Sequence, residues 1–374
     1  MCGIAGFIDF NKKSTESNVK SMIEPLTHRG PDGEGTLLLN NDNSIIGLGH
    51  KRLSIIDLSS NGKQPMSLGH LHLTYNGEIY NFQEIKNELV ALGHSFSGES
   101  DTEMILHAYL EWGIKAIEKF IGMFAIVLFD QKQNELFLIR DRAGVKPLFY
   151  YNKNNLILFA SELKAFHEHP NFEKELDLNA VAAYMQYGNV PTPHCIFKNC
   201  QKVYPGHYLK IGLTLKNQEL IQYWNVYDYY NKPKSKISYK EAKIKTEQIL
   251  LSACKYRMVS DVPVGIFLSG GYDSSTVSAL LQSNSAAKLK TFTIGVPDIG
   301  LNEAPYARDI ASHLGTDHYE INCTEQEAIE MVKDLPFYYD EPFADSSAIP
   351  TTLVSKMARK EVTVALSADG GDEI

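Results

Sequence analysis

The hydrophobic pattern divides the chain into a first half rich in paired strands and a second half in which strands and helices alternate. In the first half, residues 71–75 alternate between apolar and polar, and residues 124–140 hold two apolar runs joined by a polar Gln-Lys-Gln-Asn. These runs predict a strand and a β-hairpin. Residues 82–92 instead repeat apolar positions at helical spacing and stop at Gly93, a residue that commonly follows a helix. We therefore expect strands joined as hairpins, with helices between them.

In the second half, a helical pattern at 239–259 leads into an apolar strand at 264–268. Further strands are predicted at 288–295, 318–322 and 362–366, with helical stretches between them. This alternation is typical of a doubly wound parallel sheet. In such a sheet, ligands bind at the carboxyl ends of the strands.

A polar, turn-rich segment at Asn231–Ser238 separates the two patterns. Its composition is that of a linker. We predict a first domain at 2–212, a linker region at 213–238 and a second domain at 239–374.

Composition excludes several classes of protein. The chain has 374 residues, 44% of them hydrophobic and 22% charged, as in an ordinary globular protein of about two domains. Its formal charge of −9 and its lack of a basic tract argue against nucleic acid as a partner. No apolar run approaches the roughly 18 residues that span a membrane. Five scattered cysteines without a CxxC pair argue against a zinc site or a disulfide framework, so we expect a cytoplasmic protein.

The segment Ser269–Ser275, which reads SGGYDSS, follows the strand at 264–268 and opens the next helix. Its two glycines let the backbone approach a ligand, and the first N–H groups of the helix attract an anion. Its serines add hydroxyl donors, and Asp273 can hold a divalent cation against phosphate. The alternative is an ordinary strand–helix turn. The segment is not a Walker A loop, because no lysine follows the glycines, and it resembles the pyrophosphate loop of ATP pyrophosphatases, which adenylate a substrate.

Cys2 is the second unusual feature. A small residue after Met1 favours removal of the initiator methionine, which would place the Cys2 thiol beside its own α-amine. A pKa of roughly 7.7–8.0 suits that amine to act as a general base. The alternative is a small buried residue at the start of a strand.

Three further positions are candidates for binding a polar substrate. Arg52 can bind a carboxylate through two hydrogen bonds. The Asn76 amide and the Gly77 N–H, at the end of a predicted strand, can form an oxyanion hole. The alternative for Asn76-Gly77 is a type I′ hairpin turn. Ser100 or Asp101 is expected to cap the following helix, which explains one of these two residues but not both.

The segment Ser367–Glu373, SADGGDE, follows the last predicted strand. Its glycines and acidic residues can hold Mg²⁺ and pyrophosphate. The alternative is a solvated acidic turn.

Six motifs of the first half, in order, resemble the glutaminase domain of class II amidotransferases: MCGIAGF, HRGPDG, HKRLSIIDLS, YNGEIYN, ESDTE and RDRAGVKPL. Followed by LSGGYDSS, they resemble the glutamine-dependent asparagine synthetases. Amidophosphoribosyltransferases share the first half but carry a phosphoribosyl site in place of this loop. The resemblance implies an α/β protein with an N-terminal nucleophile (αββα) glutaminase domain, followed by a doubly wound parallel-sheet ATP-pyrophosphatase domain.

The resemblance also implies a reaction. Glutamine is hydrolysed at the nucleophile Cys2, and the ammonia converts β-aspartyl-AMP to asparagine, releasing AMP. Arg52 and Asp101 are then ligands of the α-carboxylate and α-amine of glutamine. Asn76 with Gly77 forms the catalytic oxyanion hole, and Glu78 lines the same pocket.

For the second domain the resemblance implies an ATP site, catalysis by Asp369 and Mg²⁺ at Asp273 and Asp372. The family often has Gly where Ala368 stands and Glu where Asp369 stands. The residues expected to bind ATP are Leu268, Ser269, Gly270, Gly271, Asp273, Ser274, Ile294, Ser367 and Ala368.

Two departures from the family concern the acceptor. The chain ends directly after the acidic loop, so we expect it to lack a C-terminal portion. The stretch 339–347 lacks an arginine that one branch of the family uses on aspartate. The alternatives are therefore an amidotransferase acting on a sugar acid in surface-polymer synthesis and a non-catalytic ligand sensor. The expected partners are glutamine, aspartate and ATP, and a homodimer is left open as the assembly.

Overall fold

The computed structural model describes residues 1–296 and 302–371 and contains two compact units. Unit 1 comprises Met1–Lys232 together with Asp340–Ala344. Unit 2 comprises Pro233–Tyr339 and Asp345–Ile374. The segment Asp340–Ala344 thus packs with the first half of the chain, although it lies within the second half of the sequence.

Unit 1 is built on two six-stranded antiparallel sheets. Its strands are β1 (Gly3–Asp9), β2 (Gly33–Asn40), β3 (Ile45–Arg52), β4 (Met66–Leu68), β5 (Leu71–Ile79), β6 (Gly122–Asp130), β7 (Glu135–Arg140), β8 (Phe149–Lys153), β9 (Leu156–Ala160), β10 (Cys200–Lys202), β11 (His207–Gly212) and β12 (Asn217–Gln222). Sheet 1 has the order β10-β8-β9-β1-β3-β2, and sheet 2 has the order β12-β11-β7-β6-β5-β4. β12 lies within the region 213–238, and the predicted domain limits stay a prediction.

Among its described residues, unit 1 also has six α-helices, five of which cover the outer faces of its sheets. They are α1 (Glu16–Ile23), α2 (Phe82–Ala91), α3 (Asp101–Trp112), α4 (Lys164–His167), α5 (Leu178–Tyr187) and α6 (Tyr227–Tyr230). Helices α1, α4 and α5 contribute to the core on sheet 1, and α2 and α3 to the core on sheet 2. A third core joins the two sheets. The layers therefore run helix, sheet, sheet, helix.

The position of β6 inside sheet 2 explains why its sequence is apolar without interruption. Ala125, Val127 and Phe129 point into the core between the sheets. Phe124, Ile126 and Leu128 point into the core beneath α2 and α3. Because side chains alternate across a strand, a central strand covered on both faces needs apolar residues at every position.

Unit 2 holds one parallel sheet. Its elements are α7 (Tyr239–Arg257), β13 (Val264–Phe267), α8 (Tyr272–Ser283), β14 (Lys290–Gly295), α9 (Ala304–Leu314), β15 (Asp317–Asn322), α10 (Glu325–Val332), α11 (Leu335–Tyr338), α12 (Ala348–Ala358) and β16 (Val364–Leu366). The strand order is β15-β14-β13-β16, all parallel. The order reverses between β13 and β16, and ligands of such sheets bind at that switch point.

Both faces of this sheet carry helices. On one face, Ile266 and Leu366 pack with residues of α7 and α8. On the other, Phe267 and Ala365 pack with residues of α12. The predicted fold class, an αββα domain followed by a doubly wound parallel-sheet domain, is confirmed. Within the described residues, no helix is both long and apolar enough to cross a membrane.

Candidate active site

Cys2 immediately precedes β1, a central strand of sheet 1. Its register pairs Gly3 with Lys51, so Cys2 comes beside the end of β3. The Leu53 N–H donates to the Cys2 sulfur (3.4 Å), and the thiol lies 3.6 Å from the Leu53 carbonyl oxygen. Burial raises the pKa of the Cys2 thiol and lowers the pKa of the neighbouring Met1 α-amine to about 5. This amine belongs to Met1, whereas removal of Met1 would expose the α-amine of Cys2, which is the predicted general base.

Asn76 lies on β5 with its side chain almost completely buried, at 1% exposure. Neither its amide nitrogen nor its amide oxygen has a hydrogen-bond partner in the described part of the chain. Buried polar groups are nearly always paired, and an unpaired one points to a ligand or strain. The amide is therefore available to a substrate oxygen.

The hairpin alternative for Asn76-Gly77 is wrong. Both residues lie inside β5, opposite Ala125 and Phe124 of β6, and the strand continues to Ile79. A side chain at Gly77 would collide with the Met123 carbonyl oxygen at 2.2 Å. Glycine is therefore needed for close packing in the sheet, not for a turn.

Glu78 and Asp101 place two buried carboxyl groups near Cys2. Burial, together with the charge of Asp101, raises the pKa of Glu78 to about 7. Burial raises the pKa of Asp101 to about 6, although the Tyr75 hydroxyl (2.8 Å) and the Ile79 N–H (3.1 Å) donate to it. Ser100 is the N-cap of α3 and accepts from the Glu103 N–H (3.4 Å). Asp101 is therefore not needed as the cap.

Arg52, at the end of β3, donates to the backbone carbonyls of Ser59 (2.8 Å) and Asp57. These contacts orient the guanidinium on the loop that follows β3. The group has further N–H donors with which to bind a carboxylate. A side chain at Gly62 would collide with this guanidinium.

Lys146, in the RDRAGVKPL motif, belongs to this site but was missed from the sequence. Its side chain is buried, at 3% exposure, and burial lowers its pKa to about 8. The charges of Glu78 and Cys2 act on it. The motif itself marked the position, but only the fold brings it to β5 and Cys2.

Arg29, in the HRGPDG motif, was also missed. Its Nε donates to the Cys2 carbonyl oxygen (2.9 Å), and its Nη1 pairs with Glu162 (2.7 Å). Glu162 also pairs with Lys164 (2.6 Å), which in turn pairs with Asp340 (3.1 Å). Burial raises the pKa of Glu162, but the hydrogen bond from His28 and the charge of Arg29 outweigh it, and the pKa falls to about 2. A chain of ion pairs thus holds the backbone of Cys2.

In unit 2, the segment Ser269–Ser275 forms the turn between β13 and α8. The Ser269 N–H donates to Ser274 Oγ (3.1 Å), and the Gly271 N–H donates to Ser269 Oγ (3.2 Å). Gly270 has φ of +91°, a conformation that favours glycine. Gly271 is the N-cap of α8 and has no side chain to occupy the helix N-terminus. That N-terminus therefore remains open to an anion.

The loop that begins at Ser367, after β16, lies next to this turn. β16 pairs with β13, and a Cβ at Gly371 would be 2.7 Å from Asp273 Cγ, so the two loops touch at the switch point. The Asp369 N–H donates to Ser367 Oγ (3.2 Å), and the Gly371 N–H donates to the Ala368 carbonyl (3.2 Å). Leu268 follows β13 and Ile294 lies near the end of β14, at the same edge of the sheet.

Asp273 lies in the first turn of α8 but is not its cap. Its carboxylate accepts no hydrogen bond from the described residues, and the cap position is Gly271. Asp372, the second predicted metal ligand, lies outside the described residues. Within those residues, no three histidine, cysteine or acidic side chains converge on one point.

Comparisons with known proteins agree with both halves of the chain. Residues 1–224 match the family of the glutamine amidotransferase domain, and residues 245–374 match the asparagine synthase family. A protein of Methanocaldococcus jannaschii, provisionally named asparagine synthetase 2 (glutamine-hydrolyzing), is 39% identical over the whole chain. The chain belongs to the glutamine-hydrolysing asparagine synthetase family.

Two further relatives also match the whole chain. Asparagine synthetase 1 (glutamine-hydrolyzing) of Bacillus subtilis is 35% identical over the whole chain, and amidase chry2 of Gibberella zeae is 30% identical. The chain spans 75% of the length of the M. jannaschii synthetase, 58% of the B. subtilis synthetase and 59% of chry2. The phosphoribosylpyrophosphate amidotransferase of B. subtilis aligns over 93% of this chain and 95% of its own, with a TM-score of 0.47 and 14% identity. The family predicted from the motifs is confirmed.

Proposed function

We propose that the protein makes asparagine from aspartate, ATP and glutamine. The observation that carries the proposal is the buried Asn76 amide, which has no hydrogen-bond partner among the described residues. An unpaired amide beside a cysteine and two carboxyl groups suits the hydrolysis of a zwitterionic amide. Membership of the asparagine synthetase family supports aspartate as the acceptor rather than a sugar acid. The intact candidate residues weigh against a non-catalytic sensor.

In the first half-reaction, the Cys2 thiolate attacks the carboxamide carbon of glutamine. The Asn76 amide and the Gly77 N–H stabilise the oxyanion of the tetrahedral intermediate. The proton of the Cys2 thiol, taken up by the α-amine that removal of Met1 exposes, passes to the leaving nitrogen, so ammonia departs and a γ-glutamyl thioester remains. Water then hydrolyses the thioester to glutamate and the free thiol. Arg52 holds the α-carboxylate of glutamine, and Asp101 with Glu78 holds its α-ammonium group.

In the second half-reaction, the β-carboxylate of aspartate attacks the α-phosphorus of ATP and displaces pyrophosphate. Ammonia then attacks the carbonyl carbon of β-aspartyl-AMP, and AMP leaves. The turn Ser269–Ser275 and the N-terminus of α8 hold the phosphates, with Ser367 and Ala368 on the adjacent loop. Asp273 and Asp372 would hold Mg²⁺, which neutralises the charge of the phosphates. Asp369 is the proposed catalytic acidic residue.

The test supplies the full-length protein with glutamine labelled with ¹⁵N at the amide, aspartate and ATP. We expect labelled asparagine, glutamate and AMP in equal amounts. Formation of ADP in place of AMP, or amidation of another carboxylate and not of aspartate, would refute the proposal.

We also propose a cytoplasmic location. All five cysteines are free in the structure, which agrees with a reducing compartment. The homodimer stays a prediction, which the molar mass in solution would test.

A further inference from the structure

The RDRAGVKPL motif buries a lysine and exposes the valine beside it. Val145 is 57% exposed, whereas Lys146 is 3% exposed. Hydrophobicity alone would favour the opposite arrangement, because burying an ammonium group is costly unless it is paired. The Lys146 ammonium donates no hydrogen bond to any described residue. Something other than packing must therefore account for its placement.

The turn that carries Lys146 is held by two charged side chains. The buried Asp141 carboxylate accepts from the N–H groups of Ala143 (3.1 Å), Val145 (2.9 Å) and Lys146 (2.9 Å). The Arg140 guanidinium donates to the carbonyls of Lys146 (3.0 Å) and Gly144 (2.8 Å). Gly144 has φ of +69° and a Cβ there would collide with Pro205 and crowd Arg140, so the turn also requires glycine. These contacts place the Lys146 backbone accurately.

The same contacts attach the turn to the oxyanion residues. Arg140 lies opposite Ala125, which lies opposite Asn76 in the ladder of β7, β6 and β5. Asp141 accepts from the Phe124 N–H (3.1 Å), and Phe124 lies opposite Gly77. These contacts therefore fix the position of Lys146 relative to β5, the strand that carries Asn76, Gly77 and Glu78.

We propose that Lys146 is a positioning residue for glutamine hydrolysis: its ammonium keeps Glu78 ionised beside Asp101, so that the pocket can bind the α-ammonium group of glutamine. The inference rests on the proposed function. Without a cation, two carboxyl groups in one buried pocket would retain a proton, because like charges cannot both ionise there.

The charges around the two residues are consistent with this role. Burial and Asp101 raise the pKa of Glu78, while Lys146 and the N-terminal amine lower it. Burial lowers the pKa of Lys146; the charges of Glu78, Cys2 and Asp141 raise it, and the charge of Arg29 lowers it further. Lys146 is the side chain whose cation opposes protonation of Glu78.

The test measures glutamine hydrolysis by the full-length protein and its Lys146→Met variant from about pH 5.5 to about pH 9. Removing the cation should raise the pKa of Glu78, so the acidic limb of kcat/KM should move up by about one pH unit, a roughly tenfold loss on that limb. KM for glutamine should rise more than kcat falls. Lys146→Arg should return the acidic limb to the pH of the unmodified protein. Lys51→Met removes a similarly buried lysine that pairs with Glu24 and Glu34, and it should leave the position of the acidic limb unchanged.

A double-mutant cycle separates this role from a structural one. In a Glu78→Gln background, Lys146→Met should change kcat/KM by less than about twofold, because the charge it supports is gone. A full tenfold loss in that background, or a limb that does not move in the single variant, would overturn the inference. If the unmodified protein does not hydrolyse glutamine, the proposed function itself fails, which is a separate result.

Discussion

The Asn76→Leu substitution should stabilise the protein while removing its glutaminase activity. Leucine has the same branching and the same number of side-chain heavy atoms as asparagine but carries no polar atoms. Asn76 is buried and neither atom of its amide is bonded among the described residues, so the folded state bears its desolvation cost without compensation. A substitution that raises stability but removes activity is typical of a residue that is kept to bind a ligand.

The magnitude of each effect follows from the burial. Relieving an unsatisfied buried polar group should add about 1–3 kcal/mol to the free energy of unfolding. For a unit of this size, that raises the melting temperature by about 2–12 °C. Losing one oxyanion donor should lower kcat for glutamine hydrolysis by about 10²–10³-fold. Asparagine synthesis from ammonia should be unchanged, because it does not use the thioester.

Asn81 provides a matched control for the stability measurement. It is also buried, but its amide donates to the Lys119 carbonyl (3.1 Å) and accepts from the Ile121 N–H (2.8 Å). Asn81→Leu leaves both partners unpaired and should destabilise by about 1–3 kcal/mol. Both tryptophans, at positions 112 and 224, lie in unit 1, so tryptophan fluorescence follows the unfolding of that unit. If Asn76→Leu destabilises as much as Asn81→Leu, or keeps kcat within about threefold, the reasoning is wrong.

Three further predictions concern the two half-reactions. Cys2→Ala should abolish glutamine use but leave asparagine synthesis from ammonia. Equal loss of both activities would contradict a role confined to glutamine. Mass spectrometry of the mature N-terminus tests the removal of Met1. Asp273→Asn should remove ammonia-dependent AMP release at saturating Mg²⁺ while sparing the glutaminase. The carboxylate caps no helix, and the amide that replaces it lacks the negative charge that binds a cation. Near-normal AMP release would disprove a metal role. The kcat/KM for glutamine should fall as the pH drops below about 7 and more steeply below about 6, because Glu78 and then Asp101 take up protons and lose the charge that binds an ammonium group. A profile that stays flat down to about pH 5 would refute that assignment.

Elements defined by local sequence patterns were predicted best from the sequence. The strand–turn–helix around Ser269–Ser275 and the helix at 82–92 lie where the pattern predicts them, because apolar periodicity and glycine positions are local properties. The capping alternative at Ser100 and Asp101 was also local and needed only one hydrogen bond to resolve it. Local signals of this kind are readable without the partner strands.

Asn76-Gly77 shows where local reasoning stops. In isolation this dipeptide favours a hairpin turn. Here it stays extended because β6 pairs along the whole of β5, with Phe124 opposite Gly77. The pairing partner lies far along the sequence, so the dipeptide alone does not reveal it. Lys146 and Arg29 were missed for the same reason, since their roles depend on contacts with residues that are distant in sequence.

The stretch 339–347 bears on the acceptor through its acidic residues. Asp340 pairs with Lys164 (3.1 Å), and Glu341 pairs with Lys202 (2.6 Å) and accepts from the Ile196 N–H (2.8 Å). These two carboxylates are therefore engaged within unit 1 and hold the segment there. A carboxylate that is already paired in this way does not attract the α-ammonium of aspartate, and an unpaired one would repel its side chain. In the proposed reaction, recognition of aspartate would accordingly depend on cationic or hydrogen-bonding groups outside these two positions.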